Sequence, residues 1–146
     1  MMRLLILIPF SIILFSCFEQ GDCSNVSSNI LTVKFYNHSD KKPKTFLMDS
    51  VKLDHWDSVM YENENINSME LPLDFGSTSL VFHLFHENTQ TDLAVSYDFK
   101  TFALAPGCDA IDLISITEAD AVTIQEVTII QSKLSTADAE NIRMYF

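Results

Sequence analysis

Apolar and polar residues alternate along most of this 146-residue chain, a pattern typical of β-strands with one buried face. In Ile30–Tyr36 every second side chain is apolar, and residues 93–99 repeat this period most cleanly. Ser79–His86 is apolar on both faces, so it is predicted to lie in the centre of a sheet. The residues between these last two segments, 87–90, fit a hairpin connection.

Weaker or shorter strands are predicted at residues 46–53, 59–61, 69–73, 102–104, 111–116, 122–130 and 142–146. Pro72 indicates an edge position for its strand, because proline cannot donate a hydrogen bond to a neighbour. Near Gln125 the apolar phase slips by one residue, which predicts a β-bulge. Residues 62–65 are predicted to be a loop and residues 136–140 one helical turn. The pattern predicts an all-β fold, an antiparallel sandwich (immunoglobulin-like or similar) of about seven to nine strands.

The first seventeen residues have a different pattern. Arg3 is followed by an apolar run at residues 4–14, which has the length of a signal peptide and is too short to span a membrane. The run ends in Leu14-Phe15-Ser16-Cys17, which resembles the bacterial lipobox. Residues 1–16 are therefore predicted to be a cleaved lipoprotein signal peptide, with Cys17 as the lipidated N-terminus. The alternative is an ordinary cleaved signal followed by a coincidental cysteine.

The cysteine count agrees with lipidation. The chain has three cysteines, and an odd number in an exported protein is explained if Cys17 carries lipid. Cys23 and Cys108 are then free to form a disulfide in an oxidising compartment. Chain-entropy models credit such a bridge with roughly 4 kcal/mol, because it closes a long loop. Two buried free thiols are the alternative.

Charge and length limit the function. Without residues 1–16, which contain Arg3 and no acidic residue, 130 residues remain with eight Lys or Arg and twenty Asp or Glu, a net charge of −12. This excess argues against binding nucleic acid, which requires clustered cations. It also argues against a peripheral hold on anionic lipid, so the acyl chains must anchor the protein. Residues 17–29 are predicted to be the lipidated N-terminus and a polar tether, and residues 30–146 one β-sandwich domain.

Candidate chemistry is sparse. On a strand, His83 and His86 point to opposite faces, so they cannot share a metal. Asp49, Asp54 and Asp57, with residues 62–65, form an oxygen-rich set that suits calcium, but EF-hand spacing is absent. No serine lies in a Gly-x-Ser-x-Gly elbow. The sequence therefore predicts no catalytic residue, no metal site and no cofactor, and the protein is not expected to be an enzyme.

Two tripeptides, Asp49-Ser50-Val51 and Asp57-Ser58-Val59, resemble the site at which envelope proteins of the Bacteroidota are O-glycosylated. The resemblance implies that Ser50 and Ser58 are sugar acceptors. Both serines are equally consistent with ordinary strand or turn positions.

A wider resemblance covers nearly all of the chain after Cys17. Asp22-Cys23, the segment at residues 31–37, Leu71-Pro72-Leu73 and Gly107-Cys108 together resemble a family of small Bacteroidota envelope lipoproteins of unknown function. Gly107 precedes its cysteine, whereas the family's glycine is expected after it. The resemblance implies an envelope location, an extracytoplasmic β-domain and a disulfide.

The predicted function is that of a lipid-anchored cell-envelope protein, at the outer membrane, its periplasmic face or the cell surface. It is expected to be a non-catalytic binding or assembly accessory that contacts the membrane through its N-terminal lipid and docks on another envelope protein. One alternative is a glycan-binding module that uses exposed aromatic residues such as Trp56 and Tyr61. Another is a hydrolase of envelope polymers with two paired carboxylates.

Overall fold

The computed structural model describes residues 28–56, 58–103, 110–135 and 139–146. These residues form nine β-strands in two sheets, with the orders β4-β1-β9-β8 and β3-β2-β5-β6-β7. The strands are β1 Ile30–Tyr36, β2 Phe46–Leu53, β3 Val59–Ile66, β4 Ser68–Pro72, β5 Ser79–His86, β6 Thr89–Ala103, β7 Ala110–Ala121, β8 Glu126–Ile129 and β9 Ile142–Tyr145. The predicted all-β sandwich is confirmed. Within the described ranges, no helix has the length and apolar character needed to cross a membrane.

The core fills the space between the sheets, and it consists of the inward-facing side chains of alternating strand residues. Each sheet contributes apolar residues that are fully buried: Leu31, Val33, Phe35, Ile142 and Met144 from the four-stranded sheet, and Val51, Phe82, Leu84, Leu93 and Val95 from the five-stranded sheet. Tyr97 is buried with them, and its hydroxyl donates a hydrogen bond of 2.6 Å to the carbonyl of Asp74. Period-two patterning therefore predicted which faces are buried.

Strand positions inferred from composition are also confirmed. β4, which contains Pro72, is an edge strand, and β5 lies in the centre of the five-stranded sheet. The hairpin between β5 and β6 turns at Glu87 and Asn88, whose φ angles are 48° and 59°. Positive φ at both central residues is the geometry of a two-residue turn that matches the twist of paired strands.

Three predictions about local structure are wrong. Phe102 and Ala103 do not belong to a separate strand, because β6 continues without a break from Thr89 to Ala103. Residues 62–65 are part of β3 rather than a loop. They are polar because β3 is an edge strand, and charged side chains there discourage pairing with other chains. Residues 122–130 do not form one bulged strand. β7 ends at Ala121 and β8 begins at Glu126 in the other sheet, so the phase slip marks a change of sheet.

One pair of strands departs from the antiparallel prediction. β9 lies between β1 and β8 and runs parallel to β1, with Val33 opposite Ile142 and Tyr36 opposite Tyr145. The final strand itself was predicted, but its direction was not. This pairing joins segments more than a hundred residues apart, and it aligns the outward-facing side chains of β1 and β9.

The two ends of the sandwich differ. At one end, named here the tether end, β1 begins next to residues 28 and 29, and β4 finishes opposite it. β6 and β7 extend beyond β5 at this end, and residues 98–103 pair with 110–115 in a two-stranded arm. The opposite end, named the far end, contains the end of β1, the β5–β6 hairpin and Phe146.

Candidate functional site

The predicted lipidation and disulfide residues Cys17, Cys23 and Cys108 lie outside the described residues, as does Asp57. Their roles remain predictions. The described segments that flank residue 108 belong to the two-stranded arm at the tether end, where the described chain also begins.

The two predicted sugar acceptors lie in different environments. Ser58 is exposed immediately before β3, outside any strand. Ser50 is half-buried within β2, which is paired with β3 on one side and β5 on the other. A glycosyl-transfer enzyme reaches an exposed connecting residue more easily than a residue within a paired strand. We therefore expect Ser58 to be modified to a greater extent than Ser50.

His83 and His86 point to opposite faces of β5, as predicted. On the outer face, His83 Nδ1 lies 2.7 Å from Asp92 Oδ1, and its Nε2 lies 3.9 Å from Asp54 Oδ1. Gln90 donates a hydrogen bond of 2.7 Å to the same Asp92 oxygen. The hydrogen bonds from Gln90 and His83 hold the pKa of Asp92 below its ordinary value. This cluster is a set of cross-strand side-chain hydrogen bonds of the kind that stabilises a sheet surface.

The oxygen-rich set considered for calcium is divided between elements of the fold. Asp49 lies in β2, Asp54 in the turn after it, and residues 62–65 in β3. In the described parts of the chain, no three His, Cys, Asp or Glu side chains are grouped so that they would hold a metal ion.

Tyr61, one of the two aromatic residues considered for glycan binding, has a structural contact. Its hydroxyl accepts a hydrogen bond of 2.8 Å from the Glu70 N–H and lies 3.3 Å from the Glu70 carbonyl. It thereby satisfies backbone groups of the edge strand β4 and links β3 to the other sheet. Trp56, the other candidate, is half-exposed at the tether end.

A cluster of connected polar and aromatic side chains lies on the outer face of the four-stranded sheet, toward the far end. We name it the tyrosine–arginine surface; its members are Tyr36, Lys41, Glu126, Glu140, Arg143 and Tyr145. The parallel register of β1 and β9 places Tyr36 beside Tyr145, with ring centroids 5.7 Å apart. The sheet backbone therefore fixes the positions of both rings.

Arg143 is held in place on two sides. Its guanidinium lies 5.1 Å from the centroid of the Tyr36 ring. It also donates two hydrogen bonds to the Glu140 carboxylate, of 3.0 and 2.9 Å. Stacking of this kind is a cation–π contact, and the paired hydrogen bonds make a planar fork. Arg143 is therefore presented in one orientation.

The electrostatics of this surface follow from these contacts. Partial burial raises the pKa of Tyr36, and its hydrogen bond to Glu140 adds to the shift. Partial burial alone would raise the pKa of Glu140, but hydrogen bonds from Arg143 and Tyr36 outweigh it and lower the pKa. The Glu140 hydrogen bonds raise the pKa of Arg143. The carboxylate and the guanidinium are both charged at neutral pH.

A second cation covers the other tyrosine. Lys41 Nζ lies 3.9 Å from the centroid of the Tyr145 ring and 2.9 Å from Glu126 Oε2. The hydrogen bond from Lys41 lowers the pKa of Glu126. Each tyrosine is thus paired with one cation, and each cation with one carboxylate.

A shallow groove lies on the outer face of the two-stranded arm. Its volume is about 240 Å³, and it is lined by Asp98, Lys100, Phe102, Leu113, Ser115 and Lys133. Phe102 is exposed and provides a flat apolar surface between polar side chains. We name this cavity the Phe102 groove.

Sequence reasoning did not identify either feature. The outward phase of Tyr36 was visible in β1, but its neighbour Tyr145 lies 109 positions later in the chain, and only strand pairing brings the two together. The geometry at the Phe102 groove likewise requires Lys133, which reaches β7 through a single bridge to Ser115.

Comparison of the chain with family models, with curated proteins and with solved structures finds no match.

Proposed function

We propose that this chain is a lipid-anchored cell-envelope protein whose β-sandwich binds another envelope protein through the tyrosine–arginine surface. The observation that carries the proposal is the fixed presentation of Arg143 between Glu140 and the Tyr36 ring. Tyrosine and arginine, together with tryptophan, are enriched at the interface positions where truncation costs most binding energy. Side chains that are ordered before binding lose little conformational entropy when a partner docks.

The position of the surface suits a tethered protein. Tyr36 and Tyr145 lie at the far end of β1 and β9, whereas the chain that leads back to Cys17 joins the sandwich at the tether end. An anchored molecule would therefore present this surface away from its own membrane. The surface carries both signs of charge, so it suits a partner with paired polar groups rather than a polyanion.

The test uses the native protein, purified from detergent-solubilised envelopes after a photo-cross-linking residue has been placed at exposed positions around Tyr36. One envelope protein should be cross-linked and identified by mass spectrometry. Tyr36→Ala and Arg143→Ala should each weaken binding of that purified protein about 30-fold, the factor that corresponds to about 2 kcal/mol. Thr32→Ala, on the same sheet face but outside the cluster, is the matched control. Recovery of the protein alone, or unchanged affinity in both variants, would contradict the proposal.

Glu140→Gln tests how far partner binding depends on the fixed orientation of Arg143, because Arg143 keeps its own charge in this variant. The amide retains the size of the side chain but loses the paired, charge-assisted acceptor, so Arg143 is expected to become mobile and partner binding to weaken about tenfold. The free energy of unfolding should fall by about 1 kcal/mol, because the ion pair is only partly shielded from solvent.

The effect of Glu140→Gln on the free energy of unfolding is expected to depend on pH. The pKa of Glu140 is lower in the folded chain, so its stabilising contribution is present above the unfolded pKa of about 4.3 and is lost as pH falls through the folded value. The difference in unfolding free energy between wild type and Glu140→Gln should therefore shrink below about pH 4. A difference that stays constant from pH 7 to pH 3, in urea titrations, would show that the carboxylate is not stabilised by folding.

Glycan binding is a second candidate, favoured by the Phe102 groove. An exposed aromatic ring next to Asp98, Lys100 and Ser115 combines a stacking surface with hydrogen-bonding groups, which is what sugar rings require. A glycan array with the native protein should retain a ligand that Phe102→Ala releases. A ligand bound equally by Phe102→Ala, or no retained ligand at all, would remove this candidate.

A further inference from the structure

Three large aromatic side chains are exposed together at the tether end. Trp56 is 51 % exposed, and Phe75 and Phe99 are each 41 % exposed. The rings of Phe75 and Phe99 meet edge to face, with centroids 6.2 Å apart. Trp56 and Phe75 line the same shallow cavity of about 210 Å³. We name these three residues the aromatic rim.

The rim is contiguous although its residues come from three parts of the fold. Trp56 follows the turn after β2, Phe75 lies in the connection between β4 and β5, and Phe99 lies in the two-stranded arm. All three segments reach the tether end because β2, β4 and β6 each finish there. Exposure of three aromatic rings to water is unfavourable, so a contiguous group of them indicates a surface that is covered in use.

The start of the described chain is part of the same surface. Asn29 lines the cavity that Trp56 and Phe75 share, and its side-chain Nδ2 donates a hydrogen bond of 3.4 Å to the Leu73 carbonyl. The segment that leads back to Cys17 therefore leaves the domain beside the rim. A membrane that holds Cys17 is therefore joined to the domain at the end that carries the rim.

The length of the segment between Cys17 and Ser28 limits the distance between the rim and the membrane. Ten residues, 18–27, lie between Cys17 and Ser28, so eleven Cα–Cα steps join the two. As a flexible coil, a chain of eleven steps spans roughly 18 Å, and fully extended it reaches at most about 38 Å. The anchor would thus keep the rim within a few nanometres of the lipid headgroups, so that contact becomes an intramolecular event with a high effective concentration. A weak affinity of the rim for the lipid surface is then sufficient to keep the rim in contact with the membrane.

We propose that the aromatic rim seats in the headgroup layer of the membrane that holds the N-terminal lipid. Tryptophan and phenylalanine suit this layer, because they offer apolar rings to the acyl boundary, and the tryptophan N–H remains hydrated. The sandwich then stands on its membrane with the tyrosine–arginine surface directed away. This inference rests on the proposed lipid anchor and adds the orientation of the domain.

Charge selects the kind of lipid. In the chain, each rim residue has an acidic neighbour (Asp57 after Trp56, Asp74 before Phe75 and Asp98 before Phe99), and one cation, Lys100, follows Phe99. The protein without its leader carries a net charge of −12. Anionic headgroups would be repelled, so the rim suits a zwitterionic surface. Seating is expected to be about threefold less populated when a third of the lipid is anionic.

Trp56 is the only tryptophan of the chain, so its fluorescence reports on the rim without labelling. The native, full-length protein is reconstituted into phosphatidylcholine vesicles whose acyl chains are brominated near the headgroup. Trp56 emission should be quenched at least twofold relative to unbrominated vesicles, and its quenching by aqueous acrylamide should fall. Replacing a third of the lipid with phosphatidylglycerol should partly reverse both effects.

Phe75→Ser with Phe99→Ser should reduce the bromine quenching of Trp56 at least twofold while Trp56 itself is retained. Val122→Ser is the matched control, because Val122 is an exposed apolar residue at the far end and its replacement should leave the quenching unchanged. Circular dichroism of each variant establishes that the fold is intact.

The outcomes separate this inference from the proposed function. An acylated Cys17 in the mass spectrum, together with a Trp56 that bromine does not quench, would overturn the seating of the rim and leave the anchor standing. A Trp56 that is shielded from acrylamide but not quenched by bromine would show that protein covers the rim, and would also overturn it. An unmodified Cys17 would overturn the anchor and the seating together.

Discussion

Replacing Asn141 with leucine is expected to lower the free energy of unfolding by about 3 kcal/mol. Asn141 is only 2 % exposed and lies immediately before β9. Its Oδ1 accepts the backbone N–H of Thr32 at 2.9 Å, and its Nδ2 donates to the carbonyl of Gln131 at 3.1 Å. Leucine has similar volume but neither polar group, so a partly buried N–H and a partly buried carbonyl lose their partners, at about 1–3 kcal/mol each.

The effect is expected because Asn141 joins three segments. Its backbone N–H donates to the Thr32 carbonyl, so the side chain and main chain together extend the pairing of β1 with β9 by one residue. Its Nδ2 fastens this pair to the connection that follows β8. Loss of the side chain therefore weakens the pairing of β1 with β9 at the point where β9 begins. These two strands are the only parallel pair in the described part of the chain.

Urea unfolding at pH 7 measures the change. Asn141→Asp should have an intermediate effect, because a carboxylate still accepts the Thr32 N–H but cannot donate to the Gln131 carbonyl. Asn65→Leu, at an exposed position of β3, is the matched control and should remain within about 0.5 kcal/mol of wild type. A loss of less than about 1 kcal/mol in Asn141→Leu would mean that water or a backbone shift replaces the lost hydrogen bonds.

The second large effect is expected from His86, whose protonation should destabilise the fold. The Thr123 hydroxyl donates to the Gln90 carbonyl at 2.9 Å, so it accepts from the Thr91 hydroxyl at 3.0 Å. The Thr91 oxygen then accepts from His86 Nε2 at 3.0 Å. This chain of donors assigns the proton of the neutral ring to Nε2, which leaves Nδ1 as a buried acceptor.

Nδ1 of His86 is buried and has no hydrogen-bond partner among the residues that the structure describes, and the ring packs against Phe46 and Phe146 at centroid distances of 5.0 and 5.3 Å. A proton added at Nδ1 would place a charged donor among aromatic rings. Burial therefore lowers the pKa of His86; nearby Lys44 acts in the same direction, and the carboxylates of Glu87 and Asp49 oppose it.

The sign of the pH dependence follows. The pKa of His86 is about 6.5 in the unfolded chain and lower in the folded chain. Between these two values the unfolded chain binds more protons than the folded chain, so stability decreases as pH falls below about 6.5. The slope can reach about 1.4 kcal/mol per pH unit, the limit for one proton.

His86→Phe should abolish this dependence, because the phenyl ring packs in the same aromatic surroundings and does not titrate. The measurement is the free energy of unfolding by urea at pH 5.0 to 7.5 for wild type and variant. The advantage of the variant should grow as pH falls. His38→Phe, at an exposed position, is the control and should follow the wild-type slope. Parallel slopes for wild type and His86→Phe would show that the buried ring does not control acid stability.

Much of the fold follows from local pattern. The hydrophobic pattern identified β1, β2 and β5 at their observed bounds, and Pro72 identified an edge strand for a reason that holds in any sheet. The errors also have physical causes. Residues 62–65 lack apolar side chains because both faces of this part of an edge strand are exposed, and period-two patterning detects only strands with a buried face. At residues 122–125 the slip in phase is real, but local pattern does not distinguish a bulge from a crossing between sheets.

The candidate surfaces were far less accessible to sequence reasoning. Trp56 was recognised as an aromatic residue that could be exposed, but Phe75 was not singled out, and Phe99 was assigned to the alternating strand at residues 93–99. Phe99 has the same phase as the buried Tyr97, and it is exposed only because β6 extends past the end of the sandwich. Burial of a strand residue depends on whether another layer covers it, which the strand's own residues do not encode.

The amino-acid sequence by itself determined the strand-forming segments, the side chains of each that face the core and the acidic character of the chain, and it predicts a leader that ends at Ser16. These properties depend on residues a few positions apart or on simple counts. The tertiary structure alone decided that β9 runs parallel beside β1, that Arg143 stacks on Tyr36, and that Trp56, Phe75 and Phe99 converge beside the start of the domain. Each of these depends on the order and direction of strands far apart in the chain, which is set by the packing of whole sheets and has no local periodic signal.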